Sequence, residues 1–346
     1  MQKKSPRPRR VETIGEFDLI RRIQRNEDLY GLNDPSVLLG IGDDAAAILP
    51  SSGNSLLVTT DVLLEKTHFD LTGSSYFQIG YKAVSVNLSD IAAMGGLPRF
   101  YLVSLGLTGK ESVRNIDQIY SGMDAAGCKA EISLIGGNIA RSAVLFVSIT
   151  LLGEVPKEEM ITRSGASVGD SIYVTGTLGD SSAGLEMLKK KYNKVFFRGL
   201  PLKHLMPEAR WPEGRLLAET HIPSAMIDLS DGLSSDLAHI TNQSGVGAQV
   251  ECENIPISSA LKRYAKSIGA NPLDYALHGG EDYQLLFCVP EKNRDRLEAL
   301  IQNKLIDAQC IGKVIPKRNG VLAKGMDGLI YKLKPLGYDH FNPRAK

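Results

Sequence analysis

A chain of 346 residues with 40 Lys and Arg against 39 Asp and Glu lacks the basic excess that duplex binding draws on, because neutralised phosphates supply most non-specific affinity. Its length exceeds the roughly 250 residues at which single cores stop growing, so two domains are expected. No apolar run approaches the roughly 18 residues of a membrane span, and Cys128, Cys252, Cys288 and Cys310 lack zinc-site spacing and read as core thiols, so a cytoplasmic protein is expected.

Lys3, Lys4, Arg7, Arg9 and Arg10 precede no apolar segment, so residues 1–14 are expected to form a basic, disordered tail and not a secretory signal. Short apolar or β-branched runs predict strands over 55–60, 100–107, 132–135 and 144–152, with helices over 76–94 and 113–126. In the first helix Val84, Leu88 and Ile91 form the apolar stripe, and Gly95-Gly96 with Pro98 ends it. A charged stretch at 157–163 marks the boundary between an N-terminal domain, 15–155, and a C-terminal domain, 156–346. The second half then gives strands over 171–175 and 284–289, a Gly-rich turn and helix over 176–190, a helix over 292–302, and a strand running into a helix over 226–240. Mixed elements in both halves point to an α/β domain followed by an α+β domain.

The common nucleotide signatures are missing: there is no Walker-type loop, no G-x-G-x-x-G and no protein-kinase catalytic loop. Acids near element ends stand in their place. Asp43 and Asp44 are adjacent in a small-residue turn; a cation would relieve their repulsion, and a plain surface turn is the other reading. Thr59, Thr60 and Asp61, at the end of the first strand, offer only hard oxygens, which suit Mg²⁺, or else cap a helix. Asn87 and Asp90 are three apart near the end of the first helix, where an Asp opposes the macrodipole by about 0.3–1 kcal/mol and a positive partner is expected. Ser230 and Asp231 lie between a strand and a helix striped by Leu233, Leu237 and Ile240, and either cap that helix or bind a ligand. Glu281 follows paired glycines that allow close backbone approach. The Gly-rich turn at 175–181 either holds an anion on its N–H groups or is simply tight. Asp44, Asp61 and Asp90, all in one inferred domain, would converge on a polymetal site for a polyphosphate, as phosphoryl transfer requires.

Gly-Ile-Gly-Asp-Asp-Ala at 40–45, Thr-Thr-Asp at 59–61, Lys82-Ala83, Asn-Leu-Ser-Asp-Ile-Ala-Ala-Met-Gly-Gly at 87–96, Ile-Gly-Gly-Asn at 135–138, Thr-Arg-Ser-Gly-Ala at 162–166, Ile-Asp-Leu-Ser-Asp-Gly-Leu at 227–233 and Gly-Gly-Glu-Asp-Tyr at 279–283 resemble, in order, the motifs of the thiamine-monophosphate kinase family. The likeness runs from Gly15-Glu16-Phe17 to Gly337-Tyr338-Asp339-His340-Phe341. It implies the two-domain aminoimidazole ribonucleotide synthetase-like fold and a homodimer formed through the N-terminal domain. It also implies ATP-dependent phosphorylation of thiamine monophosphate to thiamine diphosphate, by direct in-line transfer with several Mg²⁺ ions. By position, Asp44, Thr59, Thr60, Asp61, Asp90, Asp228 and Asp231 resemble the metal ligands, and Asn138 falls where the family usually has a further Asp, keeping an oxygen but losing a charge. Tyr120, Gly137, Asn138, Arg163 and Ser230 resemble the ATP contacts, while His68, Glu281 and Tyr338 resemble the thiamine-phosphate contacts. Arg163 suits phosphate oxygens, and Glu281 with Tyr338 suits a cationic ring system. No general base is implied, since the accepting phosphate oxygen is already anionic. An idle metal or nucleotide binder is the reading from another class; the full set of acids argues against it.

Overall fold

The computed structural model describes residues 10, 16–24, 34–39, 45–192, 197 and 199–338. Asp43 and Asp44, and the expected tail apart from Arg10, lie outside those residues; Arg10 forms an isolated antiparallel bridge with Ser112. The chain divides into two compact units, Met1–Asn87 with Pro98–Glu154, and Leu88–Leu97 with Val155–Lys346. The segment carrying Asp90, read from sequence as part of the first domain, thus groups with the second unit. The reason is packing: Ala92 and Ala93 are buried in a core cluster of that unit.

In the first unit, helix α1 (Glu16–Gln24) and a two-stranded antiparallel ribbon of β1 (Val37–Leu39) and β2 (Ala47–Ile48) precede the main elements. These are β3 (Asn54–Leu64), α2 (Tyr76–Ala93), β4 (Leu97–Leu107), α3 (Val113–Gly127), β5 (Ser133–Arg141) and β6 (Phe146–Pro156). The sheet runs β3-β6-β4-β5, with β4 and β5 parallel. Strand β3 does not stop at residue 60, because Val62-Leu63-Leu64 continues its pleated pattern, so Thr59, Thr60 and Asp61 lie mid-strand. Ser112 caps α3 by accepting from Asn115 N at 3.2 Å. Helices α2 and α3 meet backbone to backbone: a Cβ on Gly80 would fall 1.9 Å from Ile119 O, and one on Gly122 1.9 Å from Phe77 O, a proximity only glycine permits.

Strand alternation gives this sheet two unlike faces. Leu57, Leu63, Val103, Leu105, Val147, Ile149 and Leu151 are buried. On the other face, Thr60 Oγ1 meets Thr150 Oγ1 at 3.3 Å, Phe146 covers Gly106 and Ser104 pairs in register with Asn138. Val58 and Val62, at 61% and 40% exposure, lie on this open face.

The second unit comprises β7 (Ser171–Thr175), α4 (Asp180–Lys190), α5 (Gly199–Leu205), α6 (Trp211–Glu219), β8 (Ala225–Asp228), α7 (Leu233–Ser244), β9 (Gly247–Glu251), α8 (Ser259–Ile268), α9 (Pro272–His278), β10 (Leu285–Val289), α10 (Glu291–Gln302), β11 (Ala308–Ile315), β12 (Val321–Lys324) and β13 (Ile330–Lys332). Its sheet has the order β13-β12-β9-β11-β7-β10-β8, antiparallel at each pairing except β12 with β9. Both faces are covered. Ile172, Val174, Ile227 and Leu286 pack with Leu233, Leu237 and Ile240, the stripe expected for α7. Tyr173, Met226 and Phe287 pack on the opposite side with Leu217, Ala218 and Leu297. Burial on both faces is why these strands are nearly all apolar. Cys252 and Cys288 are buried as expected, but Cys128, at the C-cap of α3, is exposed.

Helix α2 ends as its glycines foretold: Gly95, at φ +71°, follows the last helical turn, and Gly96 N donates to Ile91 O at 2.9 Å, a Schellman closure. Arg215 Nη1 donates to Gly95 O at 3.1 Å and brings a positive charge to this negative helix end.

Candidate active site

The candidate site in the second unit starts at the end of β8. Asp228 is 3% exposed, and its Oδ2 accepts from the buried Ser89 Oγ at 2.7 Å. The loop that follows is held from two sides. Glu281 N donates to Ser230 O at 2.7 Å and Tyr283 N to Leu229 O at 2.9 Å, while Tyr338 N donates to Asp231 O at 3.3 Å. Gly337 N adds a bond to Ser235 Oγ at 2.9 Å. Close approach explains the paired glycines, since a Cβ on Gly280 would fall 2.5 Å from Ser230 O. Glu281 and Tyr283 accept positive φ values of 66° and 50° to make the crossing, a strained conformation that surrounding contacts must hold in place. Three motifs distant in sequence are therefore brought to one loop.

Sequence reading overlooked Asp236. It is 1% exposed, and its Oδ2 accepts from Asp231 N at 3.1 Å and Gly232 N at 3.0 Å. Burial, then the charges of Asp228 and Asp231, push its carboxyl up to about 8 against those backbone bonds. Ligand atoms of Asp231, Asp236 and His239 all lie within 4.8 Å of one another. The available signal was the acid in the first turns of α7, a position from which a carboxylate reaches back to unsatisfied N–H groups. His204 was also missed. This buried histidine on α5 places Nδ1 2.9 Å from Glu281 Oε2, a contact that nothing in local spacing announces.

The Gly-rich turn at 175–181 proves to be a protein-filled turn. Gly179 N and Ser181 N donate to the two carboxylate oxygens of Asp282, at 2.6 and 3.2 Å, so an internal acid takes the position open to an anion. Burial raises Asp282 to about 7 despite these bonds, and the charges of Asp180 and Glu281 add to the rise.

Other candidates of this unit lie nearby or apart. Asp90 follows Ser89 on α2 and is half-buried. Tyr338 is 51% exposed. Arg163 is exposed, with its carbonyl accepting from Ser244 Oγ at 3.3 Å; its neighbour Thr162 accepts from Met226 N at 2.9 Å, two residues before Asp228.

Among the described residues, the candidates of the first unit share no comparable loop. Thr60 and Asn138 lie on the open face of the sheet, whereas alternation sends Thr59 and Asp61 to the other face. Thr60 Oγ1 donates to Ile149 O at 2.9 Å. On β5, Gly137 is required against β4, because a Cβ there would fall 2.2 Å from Val103 O. His68 is half-buried and its Nδ1 accepts from Leu64 N at 3.1 Å. Tyr120, read as a nucleotide contact, is 4% exposed on α3, and burial raises its hydroxyl far above the ordinary range. Asp44 lies outside the described residues.

Comparison with known proteins agrees with this layout. Residues 42–155 match the family model for the AIR synthase related protein N-terminal domain, and residues 167–324 match its C-terminal domain. A thiamine-monophosphate kinase of Aquifex aeolicus is 38% identical over 334 residues, covering 96% of this chain and 100% of the relative. The crystal structure of a thiamine-monophosphate kinase from Stenotrophomonas maltophilia superposes with a TM-score of 0.80 at 35% identity, covering 90% of this chain and 97% of that one. A structure of AaThiL complexed with AMPPCP and TMP gives a TM-score of 0.75 at 38% identity, covering 96% and 99%. Identity at this level across essentially the whole length, together with the two-domain fold, shows that this chain belongs to the thiamine-monophosphate kinase family.

Proposed function

We propose that this chain is a thiamine-phosphate kinase, which transfers the γ-phosphoryl group of ATP to thiamine monophosphate and releases thiamine diphosphate and ADP. The observation that carries the reading is the convergence of Asp228–Asp231, Glu281 and Tyr338 on one hydrogen-bonded loop. The relative complexed with AMPPCP and TMP supports the substrate pair. In the transfer, an anionic phosphate oxygen of thiamine monophosphate forms a bond to the γ-phosphorus in line with the breaking bond to ADP, which leaves with that electron pair. No side chain has to remove a proton.

Several Mg²⁺ ions fit the donors. Asp228, Asp231 and Asp236 present hard oxygens, and the upward shift of Asp236 under its neighbours' charges marks a cluster that a cation would stabilise. Asp44, Thr59, Thr60, Asp61, Asp90 and Asn138 are the further ligands in this reading. Bound Mg²⁺ would neutralise charge developing on the phosphoryl oxygens. Arg163 grips phosphate as a planar fork, with Tyr120, Gly137, Asn138 and Ser230 as the remaining ATP contacts. Glu281, Tyr338 and His68 orient thiamine monophosphate.

The active form in this reading is a homodimer formed through the first unit; light scattering checks the mass. The enzyme works in the cytoplasm and independently of nucleic acid. No helix among the described residues is long and apolar enough to cross a membrane. The decisive experiment incubates the protein with ATP, Mg²⁺ and thiamine monophosphate: thiamine diphosphate should form, and Asp231→Asn should lower its rate on the order of 100-fold or more. Retained ATP binding without product would identify an idle binder.

A further inference from the structure

We propose that His204 is the positioning residue for Glu281, holding one carboxylate oxygen so that the other faces the cationic rings of thiamine monophosphate; the inference rests on the reading of Glu281 as a substrate contact. His204 is 4% exposed, and its Nδ1 lies between Glu281 Oε2 at 2.9 Å and the buried Ser181 Oγ at 3.2 Å. A ring nitrogen facing a carboxylate carries the proton and donates. The Glu281 side chain keeps 26% exposure, so the carboxylate that His204 holds is still reachable from solvent.

The backbone adds to this restraint. Glu281 sits at φ +66° with its N–H bound to Ser230 O, which fixes where its side chain begins; His204 fixes where it ends. Ser181, the other partner of His204, and Asp282, the neighbour of Glu281, both line a small polar cleft with Thr177, Asp180 and Arg210. Holding a glutamate before the substrate arrives removes rotamer freedom that binding would otherwise have to remove. The charge-assisted bond also keeps the carboxylate available to a cation.

Steady-state kinetics of three His204 variants test the proposal. His204→Leu should raise KM for thiamine monophosphate about tenfold, the scale of one hydrogen bond to a charged group, with KM for ATP unchanged. His204→Asn places an amide N–H near the position of Nδ1 and should restore KM to within about threefold; His204→Gln, which mimics Nε2, should not. Equal losses in the Asn and Gln variants, or a parallel rise in KM for ATP, overturn the proposal, and that pair carries the test if His204→Leu does not fold. Glu281→Gln separates the two layers. An unchanged KM for thiamine monophosphate in that variant removes Glu281 from the substrate, and the inference falls with it. A raised KM there beside an unaltered His204→Leu overturns the positioning role and leaves the reading of Glu281 intact.

Discussion

The two units hold their candidate residues in opposite ways. In the first, Thr59, Thr60 and Asp61 are successive residues of β3 and Asn138 belongs to β5, so the pleat alone decides where each side chain points. In the second, Asp228, Asp231, Glu281 and Tyr338 come from segments far apart in sequence, tied together by backbone bonds. A strand delivers donors at fixed spacing but divides them between two faces. Crossed loops deliver donors to one place, and here they do so with positive φ at Glu281 and Tyr283 and with acids buried against one another. Asp61 is exposed, whereas Asp228 and Asp236 are 3% and 1% exposed. The second unit is pre-arranged at a cost in stability that the first unit's strands avoid.

That cost is the largest expected effect and can be measured through Asp282. Its folded value of about 7 lies above the ordinary carboxylate range, so folding takes up a proton between roughly pH 4 and 7. The stabilisation is complete below the unfolded value and is lost as pH rises to the folded one, by up to about 1.4 kcal/mol per pH unit. Asp282→Asn stays neutral throughout. Denaturant titrations should therefore show wild type losing stability relative to Asp282→Asn from pH 4 to 7, with no further relative loss above it. Parallel curves would mean that Asp282 is charged already and that the contrast between the units is not electrostatic.

Next in size is Asp236. Asp236→Asn keeps an acceptor for the loop N–H groups but removes the carboxyl that a bound cation would ionise beside Asp228 and Asp231. It should raise the Mg²⁺ concentration for half-maximal activity on the order of 10- to 100-fold, the scale of outer-shell changes at metal sites, without lowering the thermal midpoint. A loss of stability with unchanged Mg²⁺ dependence would make Asp236 a cap of α7 alone.

Much of this arrangement was legible from the residues. The stripe Leu233, Leu237 and Ile240, the glycine stop of α2 and the strand at 171–175 follow from periodicity and turn chemistry, and the ordered motifs carried the family. What escaped depends on distance in sequence. Strands β9, β12 and β13 are short and partly polar, and the sheet they join supplies the pairing that their own residues do not announce. Asp90 was grouped with Asp61 because spacing records order along the chain, while the packing of Ala92 and Ala93 is a tertiary fact. The turn at 175–181 was ambiguous for the same reason: the acid that fills it, Asp282, lies about a hundred residues away.

The smallest effect addresses the first unit. Asn138 lies on the open sheet face in register with Ser104, and in the proposed reading it is a metal ligand one charge short of the family's usual Asp. Asn138→Asp restores that charge and should lower the Mg²⁺ concentration for half-maximal activity about fivefold, which corresponds to the roughly 1 kcal/mol of two unit charges in contact through water. An unchanged midpoint would remove Asn138 from the metal. Ser104→Asp is the discriminating control, because it adds the same charge to the same face from the neighbouring strand. If Asn138 ligates, only Asn138→Asp tightens activation; if both variants tighten it equally, the face attracts cations as a diffuse field, and the first unit contributes potential where the second contributes a built loop.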